Sequence, residues 1–425
     1  MNKTNTIFKE VLEKIEPEKE AIKFIEDSLQ DFLKKINKNI KSSKIKAEIF
    51  IGGSFAKKTV IKKDYYDVDV FIRFDKKYKD KNLSELTFKL LKEIKNVSTI
   101  HGSRDYYRVK LSPDFFIEII PVLKVKIPKE ANNITDLSYS HVKYINKKIK
   151  SKKIINDIKI AKAFCHANNF YGAESYIGGF SGYSLELLVY YYKGFLKFLK
   201  ETTKSKDKII VDIEKHYKNK RIVLMDLNSS KLESPIILID PTYKQRNALA
   251  ALSNETFEKF KKISKDFLKN PTIKSFEIQK TNIEEIKSSA KKNKYDFILI
   301  ESKTNKQEGD VAGSKLLKFY KHLTIEIEKY FEIKNQGFNY NHKQSARYFF
   351  VLKKKKEILC SGPNIKDKKN IKKFKSQHKK TFIKNKKIYA KEKIEFTINK
   401  FIRKWKVKNK KRIKEMYILD LKVLD

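Results

Sequence analysis

Two cysteines, eight prolines, twelve glycines and a single tryptophan are all that this 425-residue chain carries of those residue types. Cys165 and Cys360 cannot build a disulfide framework, and neither lies in a CxxC pair or at a Cys/His spacing that reads as a zinc site, so a reducing cytosol is expected. So little glycine and proline excludes collagen-like and linker-dominated chains, and 40% hydrophobic with 12% aromatic residues excludes a disordered polymer. Long apolar runs are missing too. The most apolar stretch, Gly178 to Tyr192, is interrupted by Glu186, and the N-terminus is charged from its first residues, so neither a membrane span nor a signal peptide is expected. Acid is scarce against base: 97 Lys+Arg face 51 Asp+Glu, leaving +46 and a pI near 9.8, which makes a polyanion, nucleic acid first, the expected partner. Arginine is itself rare, eight residues beside 89 lysines, so codon composition accounts for part of the excess without changing its sign.

A chain of this length suits two to four domains. Apolar residues recur at helical spacing from Ile7 to Ile40, broken at Pro17. Lys44 to Ile51 is strand-like and ends in Gly52-Gly53-Ser54; from Asp67 to Phe74, Val68, Val70, Ile72 and Phe74 alternate with Asp67, Asp69, Phe71 and Arg73, which predicts a strand with two distinct faces. Phe115 to Val125 predicts another strand, with Glu118 in an otherwise apolar run. Helical patterning follows from Asp136 to about Thr202, then strands near Ile209 and from Ile236 to Ile239, and after Ser253 short helices alternate with strands such as Tyr295 to Ile300 and Arg347 to Leu352. Boundaries are expected after residues 130 and 256. Lys353 to Lys414 holds 26 basic residues and four acids, +22 in 62 residues. Apolar residues from Ile358 to Trp405 interrupt it throughout, so it is expected to fold with its aromatics in a core and to present a basic face to RNA or DNA.

Asp67 and Asp69, two apart on a strand, project from one face, and paired carboxylates suit hard divalent cations that orient a hydroxyl and a triphosphate for in-line displacement. Glu118, an acid in a strand that reads as buried, is the expected third ligand, because a metal would compensate its charge. Alone, a DxD pair is commonly a solvated strand end, and a Gly-Gly-Ser turn is usually only a turn, although glycine lets backbone approach phosphates closely. The order strand, Gly-Ser turn, acidic strand, acidic strand is what gives them specificity.

In this order the sequence resembles the DNA polymerase β-type nucleotidyltransferase superfamily, and within it the archaeal-type (class I) CCA-adding enzymes, the tRNA nucleotidyltransferases. The motif residues are Gly53-Ser54-Phe55-Ala56-Lys57-Lys58-Thr59, Asp67-Val68-Asp69 and Glu118-Ile119-Ile120-Pro121. Lys162 through Glu174, Gly178 through Leu188, and Asp240-Pro241 through Arg246-Asn247 to Ser253 resemble further family blocks. The resemblance implies a multidomain α/β and α protein: a nucleotidyltransferase head of mixed sheet and helices (1–130), a helical central domain (131–256) and an α+β C-terminal tRNA-binding region (257–425). It implies metals, two Mg2+, on Asp67, Asp69 and Glu118, the last standing where the family usually has Asp. Gly53, Ser54, Lys57, His141, Lys162 and Tyr171 would hold the triphosphate, and Arg246 would help to select the base. The implied substrates are CTP, ATP and the tRNA acceptor end, and a homodimer is compatible with it. Arg246 also draws notice because a chain built on lysine spends an arginine where a planar, bidentate fork is needed. Two other readings compete: a related template-independent transferase, such as a poly(A) polymerase or oligoadenylate synthase-like enzyme, and a catalytically silent RNA-binding protein.

Overall fold

The computed structural model describes residues 3–102, 104–278, 281–378 and 380–424. The chain divides into two compact units, residues 1–279 and 280–425.

In the first unit, Pro17 separates α1 (Lys3–Ile15) from α2 (Lys19–Ser42), where the expected break falls. Then come β1 (Ala47–Ile51), a single turn α3 (Gly53–Ala56), β2 (Tyr66–Phe74), α4 (Leu83–Leu90), β3 (Val97–Ile100), β4 (Tyr106–Ser112) and β5 (Phe115–Leu123). The five strands form a mixed sheet in the order β1-β2-β5-β4-β3, in which only β2 and β5 run parallel. The alternation read in β2 sorts its two faces. Val68, Val70, Ile72 and Phe74 are buried in one core with Ile25, Leu29, Phe32 and Ile36 of α2 and Leu83 and Leu90 of α4. Asp67, Asp69, Phe71 and Arg73 take the other side.

The rest of the first unit is α5 (Ser138–Lys148), α6 (Lys152–Ala167), α7 (Gly182–Tyr191), α8 (Phe195–Lys204), β6 (Ile209–Asp212), α9 (Lys220–Asp226), α10 (Ser229–Leu232), β7 (Ile236–Asp240), β8 (Tyr243–Asn247) and α11 (Asn254–Lys269), with a small sheet ordered β6-β7-β8. Its core is aromatic: Phe164, Phe180, Phe195, Phe198, Phe260 and Phe267 belong to one buried cluster, each side chain contributing about 1.5–3 kcal/mol relative to exposure. Two features depart from the sequence reading. Ile7 and Val11 of α1 join this core rather than that of the head. The boundary expected after residue 256 falls inside α11, whose Phe257, Phe260 and Phe267 face the same cluster, and the chain divides after residue 279 instead.

The second unit contains α12 (Ile283–Lys292), β9 (Asp296–Lys303), α13 (Asp310–Glu328), β10 (Phe331–Tyr340), β11 (Ser345–Lys354), β12 (Glu357–Asn364), α14 (Lys368–Gln377), β13 (Thr381–Lys384), β14 (Lys387–Lys393), α15 (Ile398–Lys408), α16 (Lys410–Glu415) and β15 (Asp420–Leu424). Four antiparallel strands make a sheet ordered β10-β11-β9-β15, and three more make a separate small sheet ordered β12-β14-β13. The basic tail is therefore folded, as its interruptions suggested. Trp405 is buried, with its indole nitrogen donating to Glu326 at 3.2 Å, while Phe382 stays 40% exposed, against the expectation of a core role. Among the described residues no helix is long and apolar enough to cross a membrane.

Candidate active site

The site starts where β1 ends. The amide of Gly52 donates to the carbonyl of Asp69 at 2.8 Å, which lays the turn against β2. A Cβ at Gly52 would sit 2.3 Å from the Phe71 ring, and one at Gly53, whose φ is +61°, would sit 1.7 Å from Oδ2 of Asp69. Only glycine satisfies both the left-handed backbone and the missing volume at position 53. The Gly-Ser turn is thus packed on the second acid of the DxD pair.

Across the parallel pair β2 and β5, Asp69 is in register with Glu118, and Asp67 with Phe116. Burial, then the nearby charges of Glu118 and Asp67, push the Asp69 carboxyl up to about 7. Burial also raises Glu118, against the pull of Arg108, whose Nη2 and Nε donate to Oε1 at 2.5 and 3.1 Å. Glu118 is therefore not the unpartnered acid that the apolar run suggested; it is turned toward an arginine on the neighbouring β4. Lys63 approaches Asp67 at 3.5 Å. Among the described residues, the only three His, Cys, Asp or Glu side chains whose ligand atoms all lie within 4.8 Å of one another are Cys360, His378 and Glu392 of the second unit, so the acid trio is more open than a closed metal cage. Its chemistry nevertheless fits a hard divalent cation: the donors are all carboxylate oxygens, two are in register, and their mutual repulsion is what a bound positive charge relieves.

Next to the turn, the two lysines of the sequence reading meet on a residue that reading left without a role. Glu186, on α7 and fully buried, accepts from Lys57 Nζ at 2.6 Å through Oε2 and from Lys162 Nζ at 3.0 Å through Oε1. Thr59 closes the network, its hydroxyl donating to Glu186 at 2.9 Å and accepting from Lys162 at 2.7 Å. Burial lowers the Lys162 ammonium to about 8, while burial of Glu186 is outweighed by its two lysines, which hold its carboxyl below the usual range. The signal was in the sequence, since Glu186 is the one charge inside the most apolar stretch. Tyr171 stacks on His166 with ring centroids 4.0 Å apart, and burial, then the charges of Glu186 and Asp67, raise its phenol above the ordinary range.

A second network gathers on Asp240, which has no solvent exposure. Its Oδ2 accepts from Arg246 Nη1 at 2.5 Å and lies 3.0 Å from His141 Nε2; its Oδ1 accepts from Tyr183 Oη at 3.1 Å and from the Thr242 amide and hydroxyl at 2.8 Å. Burial alone would raise the Asp240 carboxyl, but these donors and the charge of Arg246 hold it well below the carboxylate range. Burial lowers His141 against the pull of Asp240, to whose carboxylate oxygen, an acceptor only, Nε2 donates. His141 also stacks on Tyr183 at 4.1 Å. The networks share one electrostatic neighbourhood, because Lys57 acts on both Asp69 and His141. Every residue expected at the site lies in the first unit; Asp240, Glu186, Arg108 and Thr59 are the partners that pattern reading did not assign.

Parallel acidic strands under a Gly-Ser turn are the layout of a nucleotidyltransferase head. Residues 33–165 match the family described as "Nucleotidyltransferase domain", and residues 156–277 match "tRNA nucleotidyltransferase, second domain". The fold is shared with a solved Cid1 poly(U) polymerase with Mg and 3′-dATP bound (TM-score 0.51, 13% identity, 65% of this chain and 99% of that one). It is shared also with a cytoplasmic RNA terminal U-transferase (TM-score 0.50, 13% identity, 66% and 100%). Sequence similarity is more specific. The chain is 36% identical over 341 residues to the CCA-adding enzyme of Nanoarchaeum equitans, covering 79% of this chain and 81% of that one. It is 28% identical over 396 residues to the CCA-adding enzyme of Methanocaldococcus jannaschii, covering 90% and 86%. The chain belongs to the CCA-adding enzyme family.

Proposed function

We propose that this chain adds C, C and A to the 3′ end of tRNA from CTP and ATP, without a nucleic-acid template, in the cytoplasm. The observation that carries the reading is the register of Asp69 with Glu118 beneath the Cβ-free surface of Gly53, on a chain whose relatives over most of their length are CCA-adding enzymes.

Asp67, Asp69 and Glu118 are the residues that would hold divalent metal, Mg2+ as the expected ion. When bound, the metal supplies Lewis-acid activation of the α-phosphate and neutralises charge as the RNA 3′-hydroxyl attacks and pyrophosphate leaves. The chain's own residues do the positioning. Gly52 makes room for the Phe71 ring and Gly53 for the Asp69 carboxylate, so the turn that carries the Ser54 hydroxyl lies directly against the second acid. Lys57 and Lys162 share one carboxylate, Glu186, so the trio keeps one net positive charge to attract the triphosphate. Glu186 thereby fixes both ammonium groups in place before substrate arrives, which limits the reorganisation needed on binding. Tyr171 belongs to the same side, in the electrostatic field of Glu186 and Asp67.

Arg246 and Tyr183, both tied to Asp240, serve the nucleobase side, while His141, held by the same carboxylate, serves the triphosphate. Asp240 takes one arm of the guanidinium at Nη1, and the remaining donors of the planar fork serve to read a base edge. Residues 1–130 act as the head of this reading and residues 131–278, with α11, as its central domain, and the basic second unit serves the acceptor stem by shape and phosphate contacts, since A-form RNA hides base identity in its deep groove.

The test is incubation of tRNA lacking its 3′ end with CTP, ATP or both plus Mg2+, followed by sequencing of product ends. Addition of C, C and A and then arrest supports the reading; a long homopolymer points to a terminal transferase of the same fold, and no extension points to a silent RNA-binding protein.

A further inference from the structure

The second unit brings together three side chains that sequence spacing keeps far apart. Cys360 on β12 and Glu392 on β14 lie diagonally across an antiparallel pair, Cys360 opposite Ala390 and Ile358 opposite Glu392, so both side chains leave the same face of the small sheet. Helix α14 packs on that face. A Cβ at Gly362 would come within 2.6 Å of Ile388 and 2.8 Å of Phe374, so glycine lets the helix lie close, and His378, just past its last residue, is brought over Cys360 and Glu392 with its ring 4.1 Å from that of Phe374. Cys360 Sγ is 3.6 Å from Glu392 Oε2, His378 Nδ1 is 2.6 Å from Glu392 Oε1, and one ligand atom from each residue falls within a 4.8 Å group.

We propose that Cys360, His378 and Glu392 form a binding site for a borderline divalent cation of the Zn2+ type. Sulfur, imidazole nitrogen and carboxylate are the three donor classes that such an ion takes, at about 2.0–2.3 Å, which in a tetrahedral arrangement separates donors by about 3.5 Å. The Cys360 to Glu392 distance already matches; the His378 to Glu392 contact is a hydrogen bond that the cation replaces, the neutral ring then coordinating through Nδ1 and carrying its proton on Nε2. A thiolate and a carboxylate together balance a charge of +2, so the occupied site is neutral within a lysine-rich segment, and binding releases the thiol proton to solvent. The fourth position is left for water.

The surroundings give the site a purpose. Helix α14 contains no buried residue, nor does β12 or β13, and β14 contributes Ile388 and Ala390. A sheet and helix with so thin a core are of the kind that a metal staple stabilises. The cation would pin β12, β14 and the end of α14 together and so hold the shape of a surface that carries much of the tail's +22 charge.

The experiment is titration of the full-length protein with Co2+ as a spectroscopic substitute for Zn2+. The expected result is a thiolate-to-cobalt charge-transfer band that saturates at one equivalent, is absent from Cys360→Ser, and requires at least about tenfold more metal in His378→Ala. The acid cluster of the first unit has no sulfur, and Cys165 is wholly buried in the aromatic core, so neither produces this band. As a second readout, one equivalent of Zn2+ should slow hydrogen exchange of residues 357–393 in the wild type and leave Cys360→Ser unchanged. Absence of the band at stoichiometric Co2+, or its survival in Cys360→Ser, overturns the proposal.

Discussion

Gly53 and Asp69 are packed so closely that a Cβ on the glycine would stand 1.7 Å from the carboxylate oxygen Oδ2. The motif glycine thus does more than permit a turn: its missing side chain is the space in which the second acid sits. Gly53→Ala should therefore displace Asp69 and also strain a backbone held at φ +61°. Turnover is expected to fall by at least about a hundredfold, since a misplacement of about 1 Å at a reacting centre is enough for that, with about 1–2 kcal/mol of lost stability. Steady-state kinetics beside a thermal melt checks both; a variant with near-normal turnover would show that the close packing is not needed.

The buried Lys162 supplies a pH dependence. Its folded-state value, lowered to about 8 from 10.5, lies below that of the unfolded chain. The folded protein consequently binds fewer protons than the unfolded one between those values, and the group's contribution to stability rises with pH across that window. Nucleotide binding should move the other way: as Lys162 loses its charge, Glu186 is left with Lys57 alone and the net positive charge of the trio disappears. The Kd for CTP should rise by up to about tenfold per pH unit above about pH 8 in the wild type. Lys162→Arg stays charged and should lack this rise. Equal slopes in the two proteins would remove Lys162 from the triphosphate site.

Much of this site was legible because its signals are local. The period-two alternation in β2 separated core from acids, and the Gly-Ser turn and DxD pair lie within 17 residues of one another. Pairings that span the fold were not legible. Glu186 looked like an anomaly in an apolar run, and its two lysines are 129 and 24 residues away. Arg108, which holds Glu118, comes from β4, where the alternation of Tyr107 and Val109 with Arg108 and Lys110 marks a strand but not the antiparallel register that sets Arg108 opposite Glu118. Lysines masked the period of β12, β13 and β14. Cys360 and His378 did not read as metal ligands because strand pairing and helix packing, not chain spacing, bring them together.

Arg246→Ala should damage nucleotide choice more than turnover. The substitution removes the guanidinium from Asp240 while His141, Tyr183 and Thr242 still bond the carboxylate, so the pocket loses its reading fork but keeps its frame. Wrong nucleotides are expected at the product's end, detectable by sequencing. An equal drop in C and A incorporation with no misincorporation would make Arg246 a structural or phosphate-binding residue.

For the basic region, deletion beyond Leu352 is the wrong probe, because it removes β15, which pairs with β9, and the buried Trp405. Neutralisation of exposed lysines keeps the fold. Lys384 and Lys387 flank the tight Asn385-Lys386 turn between β13 and β14, and Lys386 lies within it. Changed together to Gln, they should weaken tRNA binding and flatten the slope of log affinity against log salt by about 0.7–0.9 for each phosphate that is no longer neutralised, with the KM for CTP unaltered. An unchanged slope would place the RNA-binding lysines elsewhere.

On the proposed function, Asp69, in register with Glu118, carries the chemistry of nucleotide addition. Asp69→Asn keeps the side chain's shape and removes its charge, so the most direct measurement is single-turnover addition of C to tRNA lacking its 3′ end, run beside a tRNA-binding titration of the same protein. The expected result is a rate at least about a hundredfold below wild type with tRNA affinity nearly unchanged. A rate close to wild type, or a loss of rate matched by an equal loss of tRNA binding, would contradict it.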